Sequence, residues 1–415
     1  MSTSGGLKIG WNDSERSELR RLADRVAGIA AAPENEVIKR RWRAVNGLRR
    51  PDRAPVWCRP VGAWSELLPE EGLLCRDPWL RSVERELRRI LIKHEIGDDS
   101  PVADYFPVAA VFKVTPSDTW GVRIEHHRPS EAGGSWKFSP PLKDEADFER
   151  LRMPRYTYDS AATESRLAAL DKLFGDRLPP RYVCHLPLSA TLGTVAADLR
   201  GLTELMLDMA VRPDLAHRLM ALMRDACLAS LDDLEAAGRL TPNNDEAMTG
   251  SDPVGPEIPA DGRFSLKNLW IMANSQEFDQ VSPAMWREFC LEYQRPILER
   301  FGLSAYGCCE NLTRKIDGVL SIPNLRIFVC SAWTDLDRVI ERVERNYVIM
   351  WRQKASEVVF APDTDRLRQD LESGLQRLKG AYYQIVLREI QTLAGHLDRL
   401  HLWTRLAIES AEKHA

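Results

Sequence analysis

From Arg181 onward the chain repeats one theme, and that repetition limits its fold more than any other feature. A short apolar run is followed each time by a longer amphipathic one. Arg181 to Leu186 precedes Thr194 to Ala237, and Asn268 to Ala273 precedes Pro283 to Phe301. Leu303 to Tyr306 precedes Leu312 to Leu320, and Arg326 to Val329 precedes Asp335 to Arg345. Tyr347 to Met350 precedes Asp363 to Lys379, and Gln384 to Leu387 precedes Leu397 to Ala411. Short apolar runs read as buried strands and the longer ones as helices lying on them. Consecutive βα units with no second linker favour an α/β fold with a single (β/α)₈ TIM-type barrel over a doubly wound sheet. Right-handed crossovers then bring every strand exit to one face.

The N-terminal part reads differently. Residues 1–12 are small and polar and are expected to be disordered. Residues 13–100 read as a helical segment packed on the barrel, which occupies 101–415. Leu19, Leu22, Val26 and Ile29 share one helix face, and Val37, Trp42 and Val45 another. Asp77 and Pro78 open a third helix, running to about His94. Ala54 to Cys58 is a candidate first strand. Val102 to Val114 is β-like, with Thr119 to His126 as its returning strand. Ser130 to Pro141 reads as a loop.

The net charge of −4 offers nothing to nucleic acid or an anionic membrane. No apolar run is long enough to span a bilayer, and Met1 to Gly10 lacks the apolar centre of a signal peptide. The eight cysteines are scattered, so unpaired thiols and a reducing, cytoplasmic setting are expected.

The chemistry concentrates at Gly307-Cys308-Cys309-Glu310-Asn311, where a strand hands over to a helix. Two adjacent thiols and a carboxylate suit a metal such as zinc, or a thiolate nucleophile. The same residues also read as a small buried hydrophobe and a helix-capping acid. Alternation along a strand sends one cysteine into the wall and the other to the mouth, with Cys309 the expected inward one. Other strand exits bring His185, Gln276, Glu277, Cys330, Trp333, Trp351, Lys354 and Arg388 to the same face. Lys354 and Arg388 suit an anionic substrate group, or neutralise Glu277 or Glu310. Asn243 and Asn244 form a polar loop that reads as turn chemistry or substrate contacts. Twelve tryptophans fill core or line a pocket, and the sequence does not separate those uses.

Ser275-Gln276-Glu277, Tyr306-Gly307-Cys308-Cys309-Glu310, Ser331-Ala332-Trp333 and Arg388-Glu389-Ile390 resemble a uroporphyrinogen decarboxylase-like group found mostly in bacteria. The resemblance runs from about Leu19 to Ala411. It implies a (β/α)₈ barrel with N-terminal helices. It also implies either cofactor-free decarboxylation or methyl transfer through a zinc-activated thiol and a corrinoid carrier protein. Pro55-Val56-Trp57-Cys58-Arg59 is similar to the decarboxylase signature. Arg59 falls at the first carboxylate-binding arginine, but Ala63 stands at the second, which argues against a tetrapyrrole substrate. The zinc methyltransferases carry a His-x-Cys, and here Gly307 or Tyr306 takes the histidine's place. A metal set would therefore be Cys308 and Cys309 with Glu277, Glu310 or His185.

The resulting expectation is metal-assisted methyl or other one-carbon transfer. Cys309, Glu310, Glu277, Lys354 and Arg388 would be catalytic. Asn243, Asn244, Trp270, Gln276, Tyr306, Trp333 and Trp351 would contact a small-molecule substrate. The alternatives are a cofactor-free decarboxylase and a non-catalytic corrinoid- or metal-binding protein. The partners expected are the substrate and a corrinoid carrier protein, with a homodimer also allowed.

Overall fold

A computed structural model describes residues 10–127 and 137–415. In chain order its strands are β1 (Val56–Pro60), β2 (Phe106–Ala109), β3 (Phe112–Thr115), β4 (Glu125–His127), β5 (Lys137–Ser139) and β6 (Arg155–Tyr158). They continue with β7 (Pro180–Val183), β8 (Trp270–Ala273), β9 (Leu303–Tyr306), β10 (Leu325–Cys330), β11 (Val348–Gln353) and β12 (Tyr382–Ile390). Six of them form one parallel sheet in the order β1-β12-β11-β10-β9-β8. The sheet curls, because side chains from its two edges meet in one cluster. Trp57 of β1 and Trp270 of β8 pack there with Ala305, Ile327, Met350 and Val386. Trp42 and Val45 of the helix Pro33–Asn46 join this interior, so that helix closes one end of the curl. The opposite faces of the strands meet the surrounding helices in a larger core.

The expected continuous ladder of eight strands is not what forms. β2 and β7 pair in parallel with each other and stand apart from the six. Side chains take the ladder's place on both sides of that pair. On the free edge of β1, the Val56 amide donates to Asp99 Oδ2 at 2.7 Å and the Cys58 amide to Asp98 Oδ2 at 2.8 Å. Between β7 and β8, the Cys184 amide donates to Thr241 Oγ1 at 2.9 Å. Asn243 brackets Trp270, donating to its carbonyl and accepting from its amide, both at 2.9 Å. Backbone groups in a wall must be paired, but the partner need not be backbone.

A second core lies outside the curl. It joins Leu22 and Val26 of the helix Asp13–Ala30 to Leu87 of Pro78–Ile96, Phe106 and Val108 of β2, and Leu173 of Ser160–Phe174. The expected return of Thr119 to His126 onto the preceding strand is replaced by a longer-range pairing. β3 runs antiparallel to β6, and β4 to β5. Part of the Ser130 to Pro141 loop and most of the expected disordered start fall outside the described residues. No helix among the described residues is long and apolar enough to cross a membrane.

Candidate functional site

The exits of β8 to β12 meet around Cys308 and Cys309. Gly307 makes the local turn possible. Its φ is +114°, and a Cβ there would stand 3.0 Å from the Val329 carbonyl oxygen. Only glycine takes that conformation at no steric cost. The turn suspends strand alternation, so the two cysteines do not face opposite sides. Their sulfurs lie 3.6 Å apart, both half-buried. This corrects the expectation that Cys308 would pack in the wall.

Glu310 is the knot beneath the pair. It is 2% exposed. One carboxylate oxygen accepts from the Ser275 amide at 2.7 Å and the Ser275 hydroxyl at 3.2 Å; the other accepts from the Cys308 amide at 2.8 Å. Its own carbonyl accepts from the Ser331 hydroxyl at 2.7 Å. One residue thus ties the exits of β8, β9 and β10. Its oxygens are occupied by structural donors, so it is a positioning residue and not an open ligand.

Arg352 ties the remaining exits. Its Nη1 donates to the Cys308 carbonyl at 2.8 Å, lies 3.6 Å from Cys308 Sγ and is 3.3 Å from Glu389 Oε1. Arg388 Nε stands 3.5 Å from the same Glu389 oxygen, without hydrogen-bond geometry, and is otherwise unpartnered among the described residues. Glu389 has φ +61°. A left-handed glutamate costs on the order of 1–2 kcal/mol, and such strain tends to collect at working sites. The result is that Cys308, Cys309 and Glu389 each place a ligand atom within 4.8 Å of the others.

Electrostatics favour one thiolate in the pair. The Cys309 thiol donates toward Cys308, and Arg352 and Arg388 add positive charge; against the cost of burial this brings the Cys308 thiol down to about 6. The Cys309 thiol moves up, because Cys308 holds its proton, with burial and Glu389 adding to the effect. Burial, with the neighbouring Arg352 and Arg59 charges, lowers Arg388 to about 10.

Several expected site residues go elsewhere. Glu277 accepts from the Thr194 hydroxyl at 2.7 Å, and its other oxygen is buried without a partner among the described residues. Among the described residues Glu277 and His185 are not in the metal-competent group. Tyr306 is buried, donating to Gln294 Oε1 at 2.8 Å. Trp270 is buried in the curl's interior, its Nε1 on Ser251 Oγ at 3.0 Å. Asn243 is spent on Trp270, and Asn244 donates to the Ser251 carbonyl at 3.0 Å. Gln276 is half-buried in a single 3₁₀ turn. Trp351 packs outward onto Gly374, where a Cβ would meet its ring at 2.2 Å. Trp333 is 58% exposed, with Lys354 Nζ 4.9 Å from its ring and 3.0 Å from Glu357. These two line a groove of about 1210 Å³ at the rim, together with Arg338 and Arg377. Cys330 is buried, with its sulfur toward the Thr334 carbonyl.

Two residues that complete the site, Arg352 and Glu389, are not among the expected ones. Alternation could have found Arg352, since Val348 and Met350 on the same strand face the interior. Glu389 owes its place to a backbone conformation that no spacing rule predicts.

No family model matches the chain, and no curated protein matches it in sequence. Among solved structures it is similar to a methyltransferase from Methanosarcina mazei. The TM-score is 0.50 and the identity 12%, over 90% of this chain and 98% of that one. At that identity the likeness concerns the fold: a mixed α/β chain built on a curled parallel sheet.

Proposed function

We propose that the chain is an enzyme of the uroporphyrinogen decarboxylase-like superfamily, built on its (β/α)₈ plan, that transfers a methyl or other one-carbon group to or from a small molecule. The observation that carries this reading is the convergence of Cys308, Cys309 and Glu389 within 4.8 Å. Two soft thiols and one carboxylate form a donor set suited to zinc with an open fourth position. When bound, the ion supplies Lewis acidity that lowers the pKa of a thiol or water reaching it. Arg352 fixes the Cys308 backbone and favours thiolate at its sulfur. Arg388 and Arg59 offer cations to an anionic substrate group, and Glu310 holds three strand exits so that the thiols keep their spacing. The name of the Methanosarcina structure agrees with methyl transfer at this coarse level. A corrinoid-bound methyl group is the donor that the family resemblance suggests, delivered by a carrier protein.

Elemental analysis of protein purified without added metal tests this. About one equivalent of zinc is expected, lost in Cys308→Ser and Glu389→Ala. Metal-free protein that also fails to retain added zinc would refute it. The three guanidinium groups of Arg59, Arg352 and Arg388 support a second reading, a cofactor-free decarboxylase that holds carboxylates there. Release of CO₂ by metal-free protein would favour that reading.

A further inference from the structure

The break in the wall between β1 and β2 opens into a cavity of about 740 Å³. Its lining includes Trp57, Arg59, Tyr105, His185, Asp245 and Glu246. A cavity of this size suits a small molecule of some twenty or more atoms. Most polar groups around it are committed. Thr241 and Asn243 serve the wall, and Lys93 bonds to Asp98 and the Cys58 carbonyl. Asp245 accepts from the Tyr105 hydroxyl at 3.3 Å. The side chains of Arg59, His185 and Glu246 make no hydrogen bond to any of the described residues. They are nonetheless electrostatic neighbours: burial raises the Glu246 carboxyl, and His185, Asp245 and Arg59 act on it after that.

The charge arrangement limits the ligand. Arg59 supplies a guanidinium with its donors free, a match for a carboxylate. Asp245 and Glu246 place two carboxyl groups beside it, a match for an ammonium. The aromatic walls do not form a cage for a bare cation, because each already carries a protein cation on one face. Arg181 lies 4.0 Å from the Tyr105 ring, Arg89 5.0 Å from that of Trp64 and Lys93 5.6 Å from that of Trp57. They remain apolar surface for the body of a ligand. Arg59 also acts electrostatically on Arg388, which in turn acts on the Cys308 thiol.

We propose that this cavity binds a small molecule with an amino-acid-like zwitterionic head on an apolar or aromatic body, its carboxylate on Arg59 and its ammonium on Glu246 and Asp245. The proposal shares Arg59 with the group-transfer reading, and the idea that the bound molecule meets Cys308 rests on that reading; the ammonium partners Glu246 and Asp245 belong to the cavity alone.

Isothermal titration with three probes of one skeleton tests it: L-phenylalanine, phenethylamine and 3-phenylpropionate. L-phenylalanine should bind saturably at one site, at least about tenfold tighter than either half-charged analogue, since removing one charge-assisted hydrogen bond weakens binding by about that factor. Arg59→Gln should reduce L-phenylalanine to the level of phenethylamine and leave phenethylamine unchanged. Glu246→Gln should reduce it to the level of 3-phenylpropionate. Thermal melts of both variants should match the parent, because neither side chain bonds to the described protein. Equal binding of all three probes, absence of saturable binding, or indifference to both substitutions would overturn the proposal. Cys308→Ser separates this from the earlier reading. It should abolish zinc retention and leave L-phenylalanine binding intact, so either claim can fail alone.

Discussion

Cys308 and Cys309 lie with their sulfurs 3.6 Å apart, and the thiolate that electrostatics favours at Cys308 sets how the site responds to pH. With the Cys308 thiol at about 6 instead of its ordinary 9.0, a thiolate is present throughout the neutral range and is lost as pH falls through about 6. In metal-free protein iodoacetamide should therefore modify Cys308 with a rate midpoint near pH 6, read by peptide mass mapping. Arg352→Met should move that midpoint upward; a midpoint unmoved, or one near 9 in the parent, would contradict the arrangement. The two carboxylates of the site should part company under mutation. Glu310→Ala strands buried amide donors on two strand exits and should destabilise the fold by about 2–4 kcal/mol in urea titration. Glu389→Gly removes a ligand and also relieves a left-handed side chain. The gain and glycine's entropic cost nearly cancel, so stability should change by less than about 1 kcal/mol while zinc is lost. A large loss of stability in that variant would show that Glu389 serves the fold.

The strands and their helices follow from short-range pattern, and most were legible from it. Leu303 to Tyr306 is the observed β9 without change, and the neighbouring runs differ from the observed strands by a few residues at each end. The largest differences have one cause: β11 and β12 run past their apolar stretch into Arg352 and Glu389, because at the mouth of the curled sheet the ladder continues while hydrophobicity stops. The pairing of β3 with β6 was not legible, since some forty residues separate them and no local signal names a distant partner. Tyr306 was expected at the substrate; in the structure it belongs to a buried network with the π-helical segment Arg287–Leu291 nearby. Gln294 is the centre of that network, donating to the Ala190 and Asn274 carbonyls at 2.8 Å each and accepting from Tyr306. Gln294→Leu should cost roughly 2–3 kcal/mol, because the Asn274 carbonyl loses its donor and the Tyr306 hydroxyl its acceptor, while the Ala190 carbonyl keeps the Leu192 amide. Tyr306→Phe should cost only about 1 kcal/mol and leave zinc retention unchanged. Chemical denaturation of the two variants checks the ranking, and a Tyr306→Phe protein that loses zinc would return Tyr306 to the site.

At the scale of the whole molecule, the wall is built from two parts with separate cores. β2 packs with the N-terminal helices, while the six-stranded sheet closes on its own interior. Native-state hydrogen exchange should accordingly find the β2 and β7 amides opening at lower free energy than those of β10 and β11. Uniform protection would mean that the wall opens as one unit. The seam between the parts also bears on how copies of this chain behave toward one another. An unpaired parallel edge beside an opening is a surface onto which another chain's extended segment can add. Here the edge of β1 is occupied by carboxylates that are themselves held fast: Asp99 by Arg41 at 2.5 Å and Arg53 at 2.6 Å, Asp98 by Lys93. An incoming strand would have to displace a buried ion pair to gain one amide hydrogen bond. The chain can therefore keep a doorway in its side without offering that doorway as a seed for fibres, and crowded solutions should leave the entrance clear for the molecules it admits.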